Sequence, residues 1–122
     1  MIHHVQLAAP PDSEGVARDF WVGVLGFVEV DKPPVLAERS GCWFRGEGIE
    51  VHVGIDGAFR PARKAHPGFL VTNLEELAGR LEAAGAPVIR DERFPGMQRF
   101  YTQDPFGNRL EFLEPAGRLE AQ

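Results

Sequence analysis

His66-Pro67-Gly68-Phe69-Leu70-Val71-Thr72-Asn73-Leu74-Glu75-Glu76-Leu77 reads as a strand running into a capped helix, midway along a chain whose first residues read the same way. Phe69 and Val71 alternate in a short apolar run, which predicts a strand from His66 to Val71. Asn73 with Glu76 three residues on has the form of a capping box, and Leu74, Leu77 and Leu81 recur at helical spacing until Gly85. Strands are then predicted at Pro87 to Arg90, Arg99 to Gln103 and Arg109 to Leu113, with Asp104-Pro105-Phe106-Gly107-Asn108 as the turn before the last. The order is βαβββ.

Upstream the same order is found. Ile2 to Ala9 is a strand candidate closed by Pro10-Pro11, Asp12 or Ser13 can cap a helix carrying Val16, Phe20 and Val24 inward, and Gly26 stops it. Strand candidates follow at Phe27 to Val30, Gly41 to Phe44 and Ile49 to Val53. His4 lines up with His66 at an offset of 62, Glu50 with Glu111 at 61, and Gly26 with Gly85 at 59. A duplicated module explains all three better than chance likeness of short strands, and it predicts one α+β domain over residues 1–122. Module one is expected at about 1–56, a link at 57–65, module two at 66–115, and a short C-terminal tail after it.

Composition narrows the classes. With 122 residues, 43% hydrophobic and 25% charged, the chain is an ordinary globular sequence with room for one core. Its one cysteine, Cys42, permits no internal disulfide and reads as a small buried hydrophobe, which fits a reducing, cytoplasmic setting. There is no leader-like start and no apolar run long enough to span a bilayer, so no membrane partner is expected. A net charge of −5 argues against nucleic acid.

Strand alternation gives each residue a side. If Val5 and Leu7 pack on the helix, His4 and Gln6 face away, and the same rule turns out Glu50 and His52, His66, and Glu111. Any one of these alone is better read as a solvated polar residue. Together, imidazoles and carboxylates gathered on one face repel and resist desolvation unless a cation joins them. A divalent metal, whether Ni, Co, Zn, Mn or Fe, suits such mixed N and O donors. His4, His66 and Glu111 are the expected ligands, with Glu50 as the fourth and His52 as its competitor. His3 has the opposite parity and reads as structural or exposed.

His4-Val5-Gln6-Leu7, Leu25-Gly26-Phe27, His66-Pro67-Gly68-Phe69 and Asp104-Pro105-Phe106-Gly107-Asn108-Arg109-Leu110-Glu111 resemble the vicinal oxygen chelate superfamily of glyoxalases, bleomycin-resistance proteins and dioxygenases. The resemblance runs from about Ile2 to Pro115. It implies paired βαβββ modules in a cup-like, curved mixed sheet with helices outside, usually as a homodimer. The glyoxalase I ligand pattern falls on His4, Glu50, His66 and Glu111, and the fosfomycin thiol-transferase pattern on His4, His66 and Glu111. The compact link and the extra His52 depart from typical glyoxalase I and look like a bacterial subgroup without an assigned activity.

A metal there would hold two oxygens of a small oxygen-rich substrate, anionic in one version, with Glu111 or Glu50 as base. That predicts a lyase, isomerase or group transferase. Arg60, Arg63, Lys64 and Arg99 are candidates to hold an anionic group, although solvated link charge is the commoner role for such residues; Tyr101 and Met97 are candidates for the pocket wall. The alternative from another class is a metal-free, antibiotic-sequestering binding protein with an aromatic groove, for which Trp21, Trp43 and Phe100 are the candidates.

Overall fold

The structure is a computed structural model and describes residues 1–117. The part of the expected tail beyond them lies outside the described residues. β1 (His4–Ala9) leads to α1 (Glu14–Arg18), which continues into a π-helical turn over Asp19–Val24, then β2 (Val28–Val30), a 3-10 turn at Pro34–Leu36, β3 (Cys42–Gly46) and β4 (Ile49–Ile55). β5 (Gly68–Leu70), α2 (Leu74–Ala83), β6 (Ile89–Asp91), β7 (Met97–Gln103) and β8 (Arg109–Pro115) repeat the order. The sheets are four-stranded and mixed, β1-β4-β3-β2 and β5-β8-β7-β6, with β1/β4 and β5/β8 parallel and the other pairs antiparallel. This is the α+β, twice-βαβββ arrangement expected from the sequence. Among the described residues no helix is long and apolar enough to cross a membrane.

The first compact unit is Met1–Pro61 with Pro105–Asn108. Its core sets Cys42 and Phe44 of β3 and Val51 and Val53 of β4 with Ala17, Phe20, Trp21 and Leu25 of the helical segment. The predicted helix face is corrected here: Phe20 is buried, but Val16 is 48% exposed and Trp21 is fully enclosed. The inward stripe is Ala17, Trp21 and Leu25, still every four residues but one place on from the expected Val16, Phe20 and Val24, because the large Trp21 ring packs against Phe44 and Phe27. Trp21 stacks on Phe44 at 6.3 Å and meets Phe27 edge-on at 5.2 Å. Burying a side chain of this size contributes about 2 to 3 kcal/mol. β1 lies at the sheet edge, and the Asn108 side-chain amide donates to its Ala8 carbonyl at 2.8 Å.

The second unit is Ala62–Asp104 with the residues from Arg109 on. Phe69, Phe100, Leu110 and Phe112 supply the sheet side of its core, and Leu74, Leu77, Ala78 and Leu81 the helix side, as the leucine spacing predicts. Phe112 lies 5.2 Å from Phe69 and 5.6 Å from Phe100, ring centre to ring centre. The expected capping box does not form. Asn73 occupies the N-cap position without a side-chain bond, and the Leu74 N–H donates instead to Glu114 Oε1 at 3.4 Å. Gly26 and Gly85 end the helical segments at φ 80° and 81°, backbone that a residue with a Cβ adopts only under strain.

Candidate functional site

In the first unit, strand register gathers one polar face. Parallel pairing sets His4 beside Glu50 and Gln6 beside His52, and β3 adds Arg45 opposite Glu50 and Trp43 opposite His52. His52 is sandwiched: the His4 ring stacks on one side at 4.0 Å and Trp43 on the other at 4.0 Å, nearly parallel at 15° and 4°. His52 is therefore only 5% exposed. A carboxylate only accepts, so His52 Nε2 carries the proton it shares with Glu50 Oε1 at 3.1 Å. Arg45 donates to Glu50 Oε2 from Nε at 3.1 Å and Nη2 at 2.9 Å. The His52 bond and then Arg45 hold the Glu50 carboxyl below its ordinary value. Burial pushes the His52 imidazole down against the pull of Glu50, which favours its neutral form. His3 is exposed, with Nδ1 2.9 Å from His4 Nδ1.

The second unit's polar face is ionic. His66 lies two residues ahead of β5, so its place is not set by strand alternation as expected. Its Nδ1–H donates to the Lys64 carbonyl at 2.7 Å, and this fixes Nε2 2.8 Å from Glu111 Oε1. Glu111, on β8, is 7% exposed, and Arg99 Nη1 donates to its Oε2 at 3.1 Å. Arg99 also reaches Asp91 Oδ1 at 3.5 Å, and Asp91 is bound by Arg93 at 2.6 Å. The Arg93 side chain and backbone N–H hold Asp91 far below the usual carboxylate range. Tyr101 has the Arg109 guanidinium over its ring at 4.2 Å, Arg99 at 5.2 Å and His66 edge-on at 5.4 Å. Among the described residues Arg109 has no carboxylate partner.

These registers revise one sequence match. β1 pairs Leu7 with Val53, and β5 pairs Phe69 with Phe112. With Leu7 and Phe69 equated, and hence His4 and His66, Glu111 falls at the place of His52 rather than Glu50, and Tyr101 at that of Trp43. Arg60, Arg63 and Lys64 are exposed between β4 and β5. Trp21 and Phe100 are core residues, which leaves Trp43 as the one ring of the proposed aromatic groove on a polar face. Sequence reasoning missed Asp91 and Arg109, and the alternation that places Glu111 also places Arg109 two residues before it on the same face.

Among the described residues no three His, Cys, Asp or Glu side chains form a group that could hold a metal ion. The second unit nonetheless suits two ligands of a divalent cation. His66 Nε2 and Glu111 Oε1 point at one another, and the other His66 nitrogen is pinned by a backbone carbonyl, as is usual for metal-bound imidazoles. Gly68, paired with Glu111, keeps the space beside Oε1 open, for a Cβ there would lie 3.8 Å from that oxygen. His4 and Glu50 belong to the first unit.

The model of a glyoxalase-like domain matches residues 8–113. A glyoxalase family protein from Bacillus anthracis is 44% identical, with 95% of each chain covered and a TM-score of 0.90. A lactoylglutathione lyase from Agrobacterium tumefaciens is 25% identical over 98% of this chain and 95% of its own, at a TM-score of 0.70. A glyoxalase/dioxygenase from Nostoc punctiforme, 16% identical over 96% of this chain and 92% of its own, has the same fold at a TM-score of 0.76. No curated protein sequence matches the chain.

Proposed function

The chain belongs to the glyoxalase-like domain family, and from that membership we propose that it is a divalent-metal-dependent lyase, isomerase or group transferase acting on a small oxygen-rich molecule. The pairing of His66 Nε2 with Glu111 Oε1, with Nδ1 tied to the Lys64 carbonyl, is the observation that carries the reading. His66 and Glu111 would hold the metal, and His4 and Glu50 are the further ligands to test. The ion, when bound, supplies Lewis acidity to two adjacent substrate oxygens. Arg99 anchors Glu111 Oε2, which orients the carboxylate and turns Oε1 toward His66 Nε2, so Glu50 is the candidate base while Glu111 is a ligand. Arg109, held over Tyr101 with no acidic partner among the described residues, supplies charge for an anionic substrate group. The lyase relative from Agrobacterium supports a hemithioacetal as the first substrate to try.

Metal analysis of protein purified without a histidine tag tests this. Wild type should carry a divalent ion, and His66→Ala should lose at least about tenfold of it, since removing a donor weakens such sites at least this much. Equal metal in both proteins would reject the site. Turnover of the hemithioacetal of methylglyoxal and glutathione would identify the lyase version, and no turnover with any of the five candidate metals would remove it. The stacked rings of the first unit favour a second reading, a metal-free protein that sequesters a small molecule. We also propose a cytoplasmic homodimer, which sedimentation equilibrium checks for its oligomeric part.

A further inference from the structure

Over the polar face of the first unit lies a cavity of about 420 Å³, within the roughly 300 to 1,000 Å³ usual for small-molecule sites. His4, Trp43 and His52 form its aromatic wall, Leu36 adds an apolar surface, and Gln6 contributes an amide. Lys32 and Arg39 bring two cations. No Asp or Glu lines it, in a chain of net charge −5. Glu50, on the same sheet face, is engaged by Arg45 and His52 and is not part of the lining.

Lys32 shows how the charge is kept. Its Nζ donates to the Arg39 carbonyl, to that of Ser40 at 3.2 Å and to that of Gly41 at 3.1 Å. Three neutral carbonyls fix the ammonium at the rim and draw the 32–41 segment together without cancelling its charge. Among the described residues Arg39 has no carboxylate partner either. Fixed positive charge beside stacked rings and the apolar Leu36 selects an anion attached to an apolar or ring-shaped body.

We infer that this cavity binds a small aryl or similarly apolar molecule bearing a carboxylate or a phosphonate-type group. The inference deepens the function proposed above by giving its substrate class, and it rests on that reading only in taking the bound molecule to be the substrate. The binding itself needs no metal.

Trp21 is fully buried and Trp43 lines the cavity, so a change in tryptophan emission on adding ligand reports on Trp43. Three probes of one shape separate the possibilities: benzoate, phenylphosphonate and neutral benzamide. At least one anion should bind saturably and about tenfold or more tighter than benzamide, and which anion does so distinguishes the carboxylate from the phosphonate source. Arg39→Gln should remove most of that preference without moving the melting temperature. Calorimetry on Trp43→Phe gives a second readout that does not depend on fluorescence. Equal binding of benzamide, a preference unchanged in Arg39→Gln, or no saturable binding of either anion at millimolar concentration would each overturn the inference. His66→Ala keeps the two readings apart, since it should lose metal and retain anion binding; failure of the metal result alone removes the enzyme and leaves the cavity.

Discussion

At one register position the first unit holds His52 and the second holds Glu111, and both side chains are nearly as buried as the core, at 5% and 7% exposure. His52 is accommodated between two flat rings, where burial favours its neutral form; Glu111 is accommodated by a histidine at one oxygen and a guanidinium at the other. The neighbour across the sheet changes in step. Trp43 stacks face to face on an imidazole, whereas Tyr101 presents its ring to two guanidinium groups. A repeated backbone thus fixes where a polar group is buried, and the neighbouring rings and charges fix what form that group can take.

The largest expected effect lies on the ionic side. Arg99→Met takes from Glu111 and Asp91 the cation they share, leaving His66 beside one and Arg93 on the other, and should lower the urea unfolding midpoint at neutral pH more than any other change here, with the slope unchanged. Adding Glu111→Leu to that variant should recover much of the loss, and failure to do so would mean that packing rather than charge dominates there. His52→Phe keeps a flat ring in the stack and should stay within about 1 kcal/mol of wild type at neutral pH.

The sharper test of His52 is pH. Its folded value lies below 6.5, so as pH falls through 6.5 the unfolded chain takes the proton first and wild type loses stability down to the folded value. Glu50, held below 4.5, adds its own loss at lower pH as the solution reaches its folded value. The Phe variant should lack the first of these losses, and parallel stability curves between pH 7 and 5 would break the comparison. Arg45→Met should have the smallest effect, under about 1 kcal/mol, because the Arg45 side chain is 61% exposed and solvent screens its bond to Glu50.

Much of this was legible from residue order alone. Leucines at 74, 77 and 81, glycines at 26 and 85, and alternation in β4 and β8 each express one local rule that packing did not override. On the first helix the spacing of four holds and only its phase differs, since 16, 20, 24 and 17, 21, 25 have one period and contact with the sheet chooses between them. The same-face placement of His4, Glu50 and His52 was readable, but their ring stacking and the pairing of His52 with Glu111 needed the strand register. Arg109 shares the parity of Glu111, but cation-rich composition points to the link instead, whose arginines stand in solvent.

The Asn108 amide on the Ala8 carbonyl bears on where the chain could be divided. Pro105–Asn108 belongs to the first unit although its flanking residues belong to the second. A fragment severed after Pro61 would lose the donor that meets the Ala8 carbonyl of its outer strand. Cut at that point, the first unit would be four residues short of its own compact body.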